Sequence, residues 1–344
     1  MSGAAERRAF AEAIGGALAL IEAQGAAAGR VSPQPRPATL PVPHAPAGSV
    51  PAVPLPGLLA QCRQLIAEAE AAPPPPLRCL HHLACTGGTL FARCIAALPN
   101  TRVLSEVDPL SAHGHAGARF FPTDLIGLAR FGTRPPDRAV LLGIFRAGLG
   151  VLHADSRRHG LDLVLRDHAH SQFCFGPAAA DTEGAADGGA GRPTLREILA
   201  APPEEAGAAG GWPLRGVVTV RHPLDSYLSM QANGWLHFTP STPGEYARRY
   251  HACLDRHADL PWLRYEDLLA DPEAAMTQLC AALDLAWDPD FRHRLAVVRL
   301  SGDSGRSGAT IRPRPRRPCP PDLARAAAGS EEFARLLARL GYAD

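Results

Sequence analysis

Four short apolar runs, each of the length of a buried strand, set the strongest constraint on the fold. They occupy residues 77–83, 161–168, 215–222 and 260–269, and polar residues or glycine and proline bound each of them. Residues 90–98 follow the first run with helical periodicity. Because strands that alternate with helices form parallel sheets, the pattern predicts an α/β fold whose parallel sheet carries helices on both faces.

The chain before residue 77 differs in character from the rest, because alanine and closely spaced prolines dominate it. Proline at such intervals predicts an extended linker and excludes a helix or a central strand. The predicted division is an N-terminal helix at residues 1–31, a proline-rich linker at 32–57, a short helix with a proline stop at 58–76, and a compact domain at 77–344. Within that domain, the Gly/Ala-rich residues 176–211 predict an excursion from the core.

The charge balance argues against polyanionic partners. The formal net charge is +1, so no overall basic field indicates a nucleic acid or a membrane surface. The sequence contains no lysine, which makes arginine the only permanently charged donor to an anion. We therefore expect a small-molecule or glycan partner, no nucleic acid and no membrane, while the oligomeric state stays open.

The cysteines and the first residues indicate a cytoplasmic protein. The eight cysteines form no CxxC pair and show no zinc-ribbon spacing, which is typical of reduced and mostly buried thiols. The opening "MSGAAERRAF" leads into apolar sequence that Glu22 interrupts. We therefore expect neither a secretory signal nor a membrane-spanning helix.

A Gly-Gly turn follows the first apolar run. Gly87 and Gly88, flanked by Thr86 and Thr89, stand where a strand would end and a helix would begin. Amide groups at such a helix start bind phosphate, glycine lets the backbone approach the ligand, and threonine adds hydroxyl donors. The GK[ST] ending of an ATPase loop is absent. A phosphate loop and a plain strand–helix turn are both consistent with these residues.

A second motif, "VVTVRHPLDSYLS", places Arg221 at the end of the third run, with Pro223 at a predicted first helical position. Ser229 follows Arg221 by eight residues, and a strand end and a helix with this spacing can converge on one anion. The alternative is a local ion pair between Arg221 and Asp225.

These stretches resemble the sulfotransferase family, whose members transfer a sulfuryl group from 3′-phosphoadenosine 5′-phosphosulfate (PAPS). The matching elements, in family order, are the 5′-phosphosulfate loop at residues 84–90, the 3′-phosphate motif at Arg221 and Ser229, and "YEDL" followed by Asp271-Pro272. The resemblance covers about residues 77–317 and implies a P-loop nucleotide-hydrolase-like sulfotransferase fold with a helical and proline-rich N-terminal extension.

The resemblance implies a set of PAPS-binding residues: Cys85, Thr86, Gly87, Gly88, Thr89, Leu90, Arg221, Ser229 and Tyr265. Two of them depart from the family pattern. Cys85 stands where the family has lysine or arginine, and Leu90 stands where a tryptophan often stacks on adenine, which leaves Tyr265 or Phe91 to stack.

The charge missing at Cys85 is expected from the arginine-rich residues 301–318. These resemble a flexible loop that closes over the 3′-phosphate, and Arg306 and Arg312 are the residues that we assign to the cofactor. Arg299 and Arg314 are further candidates. A solvated basic tail is the alternative.

Two residues are candidates for the base that takes the acceptor proton. His168 ends the second run, where Arg166-Asp167-His168 resembles the family's Lys-Thr-His, and histidine titrates near neutral pH. Glu106 resembles the catalytic glutamate of carbohydrate sulfotransferases. The alternatives are a structural histidine, and a surface carboxylate or partner of Arg102.

The remaining histidines lack carboxylate or cysteine at matching spacing, so we expect no metal. They are His170 and the pairs His81-His82 and His113-His115.

The sequence therefore predicts a sulfotransferase that acts on a hydroxyl or amine of a small-molecule or carbohydrate acceptor by in-line displacement. Residues 113–135 and 176–211 are expected to line the acceptor site. A small-molecule P-loop kinase is one alternative, although GK[ST] and a clear magnesium-binding carboxylate are absent. A non-catalytic nucleotide-binding protein of the same fold is the other, and Cys85 is its main support.

Overall fold

The computed structural model describes most of the chain after residue 73 and isolated residues before it. The described parts are residues 57, 60, 63, 64, 67, 74–111, 124–130, 132–176, 192–201, 211–300, 310–313 and 315–342. The chain divides into two units, Met1–Pro73 and Pro74–Asp344. The predicted helix at residues 1–31 lies outside the described residues, as does all of the predicted linker except Gly57.

A five-stranded parallel sheet in the order β2-β3-β1-β5-β7 organises the second unit. Its strands are β1 (Leu77–His82), β2 (Thr101–Val107), β3 (Asp162–Asp167), β5 (Leu214–Val220) and β7 (Trp262–Arg264). Two short strands, β4 (Phe175–Gly176) and β6 (His237–Phe238), form a separate parallel pair. The α/β prediction with a parallel sheet is confirmed.

Helices follow most of the strands. They are α1 (Gly88–Ala96), α2 (Leu125–Arg130), α3 (Arg138–Arg158), α4 (Ala169–Phe173), α5 (Leu195–Ala200), α6 (Pro223–Ala232), α7 (Pro243–Asp255), α8 (Tyr265–Ala270), α9 (Pro272–Leu283), α10 (Phe291–Arg294), α11 (Pro321–Ala328) and α12 (Glu331–Leu340). Asp271 caps α9 by accepting from the Ala274 amide, as its place before Pro272 indicates.

Both faces of the sheet are covered. Leu80 of β1 packs with residues of α1 and α9, whereas its neighbour Cys79 packs with Leu149 of α3 and Leu199 of α5. Successive strand residues point to opposite faces, so this division places helices on the two sides of the sheet.

The fourth apolar run is only partly a strand. Trp262–Arg264 is extended, but the chain becomes helical at Tyr265. Tyr265 and Leu268 are buried at helical spacing, and Glu266 and Asp267 in the first turn favour the helix start electrostatically. The prediction of one strand over residues 260–269 is therefore wrong after Arg264.

Strand β2 was not predicted. It is an edge strand whose residues are all half-buried, and Arg102, Ser105 and Glu106 interrupt its apolar residues. An edge strand with polar residues lacks the apolar run that identifies a central strand.

Among the described residues, α3 alone is long and apolar enough, by length and composition, to cross a membrane. Its Leu149 packs in the cluster that contains Leu163 and Leu165 of β3. In this structure the helix covers the sheet.

Candidate active site

The predicted phosphate loop connects β1 to α1. Two rings pack against the loop and leave room only for glycine at positions 87 and 88. Gly87 has φ of 98° and is the N-cap of α1, and a Cβ placed on it would lie 2.4 Å from Tyr265 Cδ2. A Cβ on Gly88 would lie 2.4 Å from His82 Cδ2. A side chain at either position would thus collide with a ring, and at Gly87 it would also be strained.

The residues that precede the glycines have different roles. Thr86 is fully buried and its hydroxyl donates to the Leu83 carbonyl oxygen at 2.8 Å, so it closes the turn instead of facing a ligand. Cys85 has φ of 64°, an unusual backbone conformation for a residue other than glycine. Its thiol lies 3.8 Å from the Asn233 side-chain nitrogen.

Arg221 and Ser229 converge as their spacing predicts. The Nη1 atom of Arg221 donates to Ser229 Oγ at 3.3 Å and to the Cys85 carbonyl oxygen at 3.2 Å. The alternative pairing of Arg221 with Asp225 is wrong, because Asp225 forms its ion pair with Arg316, at 2.9 Å. The strand end therefore delivers the guanidinium to the phosphate loop.

Tyr265 supports both of these elements. Its ring lies against Gly87, and the Arg221 guanidinium carbon lies 4.8 Å from the ring centroid. Only 8% of Tyr265 is exposed. Phe91, the other residue considered for adenine stacking, is fully buried in the core with α9, so that assignment is wrong.

A bulge in β2 directs Glu106 into the same region. The register against β3 shifts between Leu104 and Val107, and Glu106 has φ of 62°. Its carboxylate lies 2.6 Å from Arg166 Nη2 and 3.6 Å from His168 Nε2. Burial raises the pKa of Glu106 to about 6, although Arg166 opposes the shift.

The structure also bears on the alternative roles of the two candidate bases, which were a Glu106–Arg102 pair and a structural role for His168. Arg102 pairs with Asp155 at 2.8 Å and not with Glu106. His168, which directly follows β3, lies beside Glu106 instead of being enclosed in the core. The two residues proposed as separate bases therefore form one neighbouring pair.

Arg166 is a site residue that was not predicted from the sequence. Its Nε donates to His82 Nε2 at 3.0 Å, Nη1 to Ser105 Oγ at 2.8 Å and Nη2 to Thr89 Oγ1 at 2.8 Å. The signal was its place two residues before His168, because alternate residues of a strand face the same side.

These groups line one cavity of about 320 Å³. The predicted residues in its lining are Cys85, Gly87, Gly88, Thr89, Leu90, Glu106, His168, Arg221, Ser229, Tyr265 and Arg312. The lining residues that were not predicted to bind or react are His82, Ala84, Arg93, Arg166, His170, Asn233, Trp235, Leu269 and Thr310. Arg306 and Arg314 lie outside the described residues. Within the described part of the chain, Arg299 donates to the nearby Ala296 and Val298 carbonyl oxygens.

Two of the lining residues, His170 and Trp235, belong to a cluster of rings whose other members, Phe175 and His237, are not among the lining residues. The His170 and Trp235 ring centroids are 6.0 Å apart, and His170 meets Phe175 edge-on at 5.2 Å. Phe175 stacks on His237 at 4.6 Å, across the β4–β6 pair. Four short segments contribute these rings, which is why no single sequence motif indicated the cluster.

A buried cluster lies next to β3 but outside the cavity lining. His81 Nδ1 is 2.9 Å from Asp167 Oδ2, and the His81 and His257 rings are 4.2 Å apart. Burial raises the pKa of Asp167 to about 7 and lowers the pKa of His257 to about 4. Their ligand atoms lie within 4.8 Å of one another, so metal binding has a geometric candidate here, and the expectation of no metal stays a prediction.

Comparison with known proteins relates part of the chain to a family. Residues 215–289 match the model of the sulfotransferase family. The matched segment contains Arg221, Ser229 and Tyr265. The resemblance to the sulfotransferase family is confirmed. The loop at residues 84–90, Glu106 and His168 lie outside the matched segment, so their roles stay predictions.

No curated protein matches the chain. Among solved structures, it is similar to the sulfotransferase domain from the curacin biosynthetic pathway (TM-score 0.45, 15% identity, 79% of this chain and 99% of that one). It is also similar to the sulfotransferase domain of the Synechococcus PCC 7002 olefin synthase (TM-score 0.45, 14% identity, 79% and 96%). A third is a sulfotransferase from Alicyclobacillus acidocaldarius (TM-score 0.36, 13% identity, 79% and 98%).

Proposed function

We propose that this protein is a cytoplasmic, PAPS-dependent sulfotransferase that transfers a sulfuryl group to a hydroxyl or amine of a small-molecule or carbohydrate acceptor. The observation that carries the proposal is the convergence of three elements on one cavity. They are the loop before α1, the Arg221–Ser229 pair and the Glu106–His168 pair. Anion binding and proton transfer thereby share one cavity.

The loop supplies the site for the 5′-phosphosulfate. Helix α1 starts at Gly88 with no side-chain cap and no acidic residue in its first turn. The Leu90 and Phe91 amides donate to the Gly87 carbonyl oxygen, so among the described residues the amides of Gly88 and Thr89 are the ones left for an anion, which the helix dipole also favours.

Arg221 supplies the site for the 3′-phosphate. Its Nε atom is buried and finds no hydrogen-bond partner within the described part of the chain. An unsatisfied buried donor costs about 1–3 kcal/mol, and a phosphate oxygen would remove that cost. Ser229 Oγ, 3.3 Å from Arg221 Nη1, adds a hydroxyl at the same point.

Either Glu106 or His168 takes the acceptor proton. The acceptor oxygen attacks sulfur, the bond from sulfur to the bridging oxygen breaks, and the electron pair of that bond stays on the leaving 3′-phosphoadenosine 5′-phosphate (PAP). Glu106 Oε2 and His168 Nε2 lie 3.6 Å apart, so a single acceptor hydroxyl could reach either group. A positioned base contributes on the order of 10²–10⁴-fold to such a step.

A kinase fits the cavity less well. Phosphoryl transfer needs carboxylates that hold magnesium. Glu106 is the one carboxylate among the lining residues, and it is already paired with Arg166.

Thermal unfolding with PAP, compared with ATP plus magnesium, tests the assignment. A ligand at 100 times its Kd stabilises the native state by about 2.7 kcal/mol. We expect PAP to raise the Tm by several degrees and ATP with magnesium to have little effect. The reverse result would favour the kinase, and no effect of either nucleotide would refute both proposals. Labelled sulfate transfer from PAPS to phenol, amine and sugar acceptors then separates an enzyme from a non-catalytic binding protein.

A further inference from the structure

We propose that Arg166 supplies the positive charge that stabilises the leaving group. Cys85 cannot supply this charge. The inference rests on the proposed function, because it assigns a residue to the sulfuryl-transfer step. It concerns the oxygen that bridges sulfur and the 5′-phosphate, where negative charge builds as the bond breaks.

Cys85 brings no positive charge to the loop. Its carbonyl oxygen accepts from Arg221 and its thiol lies near Asn233. Since the sequence has no lysine, only an arginine can carry a permanent positive charge to this position.

The other arginines of the cavity lining are placed for different tasks. Arg93 is buried and its Nη2 donates to the Leu295 carbonyl oxygen at 3.0 Å. Arg221 lies at Ser229, and Arg312 is exposed. Arg166 is only 4% exposed and lies between the phosphate loop and the two candidate bases, Glu106 and His168.

The contacts of Arg166 join the two sides of the reaction. Nη2 donates to Thr89 Oγ1 in the first turn of α1, where the donor phosphate is expected. The same nitrogen lies 2.6 Å from the Glu106 carboxylate, where the acceptor proton is expected. The guanidinium therefore lies between the predicted leaving group and the predicted base.

His82 fixes the orientation of Arg166. His82 Nδ1 lies 3.0 Å from the Leu83 carbonyl oxygen, so Nδ1 carries the proton and the Nε2 lone pair accepts from Arg166 Nε. Burial, and next the Arg166 charge, hold the pKa of His82 well below its usual value. The imidazole thus remains neutral and able to accept, and it also packs on Gly88.

A charge held in this way suits catalysis. The charge is largely shielded from water, and electrostatic interactions are stronger in such a low-dielectric environment. It also needs little reorganisation during the reaction. In the transfer step the sulfur–oxygen bond breaks, the bridging oxygen keeps the electron pair, and the positive charge of Arg166 stabilises the negative charge on that oxygen.

A charge-relocation experiment tests this role. The variants are Arg166→Gln, Arg166→Lys, Cys85→Lys and the double variant Arg166→Gln/Cys85→Lys. The reaction is hydrolysis of PAPS to PAP and sulfate, with water as the acceptor, so that no acceptor has to be known. PAP binding by calorimetry and thermal unfolding are measured alongside kcat and KM.

We expect Arg166→Gln to lower kcat by on the order of 10²–10³-fold, as loss of a preorganised donor does elsewhere. Lysine at position 166 should retain at least a tenth of the wild-type kcat, and lysine at position 85 should restore the Arg166→Gln variant by at least tenfold. KM should change much less than kcat.

A double variant no faster than folded Arg166→Gln would overturn the inference, as would wild-type kcat in Arg166→Gln. If Arg166→Gln does not fold, the Arg166→Lys variant decides the question. A folded, PAP-binding Arg166→Lys variant with a kcat below a hundredth of the wild-type value would contradict a charge role. Failure of the wild-type protein to bind PAP would instead refute the proposed function itself.

Discussion

The Arg221 guanidinium donates to the Cys85 carbonyl oxygen at 3.2 Å and thereby joins two motifs that are 136 residues apart in the chain. The sequence suggested that each motif holds a different end of one donor molecule. The structure adds that the second motif also braces the first, so that loss of Arg221 affects both.

Arg221→Ala should weaken PAP binding strongly. Hydrogen bonds to charged groups contribute about 1.5–3 kcal/mol, which corresponds to about 10–150-fold in Kd. Ser229→Ala removes one neutral hydroxyl and should cost less than tenfold. Isothermal titration calorimetry with PAP checks both, and equal affinity of Arg221→Ala and wild type would rule out the 3′-phosphate assignment.

The convergence of Arg221 and Ser229 was predictable because it depends on local geometry. A strand end, Pro223 at the first helical position and a spacing of eight residues determine it. The Asp271 cap of α9 was predictable for the same reason. Such features need no knowledge of the distant chain.

The Glu106–His168 pair was not predictable as a pair. It depends on the β2–β3 pairing and on a bulge that gives Glu106 a positive φ. Edge strand β2 has no continuous apolar run, so its register cannot be read from the sequence. The role of His82 is likewise non-local, because Arg166 of β3 and Gly88 of α1 define it.

The hydrolysis rate should fall on the acid side of about pH 6. Burial raises the pKa of Glu106 to about 6, and the carboxylate accepts a proton only when it is ionised, which is the state above that pH. Glu106→Gln should therefore lower kcat and remove this limb of the pH–rate profile. An unchanged limb in a slower Glu106→Gln variant would assign it to His168.

The loop glycines should tolerate no side chain. A Cβ at Gly88 would meet the His82 ring and one at Gly87 the Tyr265 ring, each at 2.4 Å. We expect Gly88→Ala to lower stability by about 1–3 kcal/mol through overpacking, and to weaken PAP binding because it displaces His82 and Arg166. Gly143→Ala is the matched control, since this exposed residue of α3 has nothing within 4 Å of its Cβ position. It should stabilise the protein by about 0.5–1 kcal/mol. Urea denaturation of both variants decides, and equal stability of the two would contradict the packing of His82 on the loop.

Asp271→Ala should separate stability from ligand binding. Asp271 caps α9 through the Ala274 amide at 3.0 Å and is absent from the cavity lining. Loss of such a cap costs about 0.5–2 kcal/mol of stability. Helix α9 packs through Met276 and Leu279 in the cluster that contains Phe91 of α1, so the cost is expected in global unfolding. The free energy of unfolding should fall while the Kd for PAP stays within twofold of wild type. A larger change in Kd would mean that the cavity responds to the stability of the helices behind it, and the losses in the Arg221 and Arg166 variants would then have to be corrected for stability.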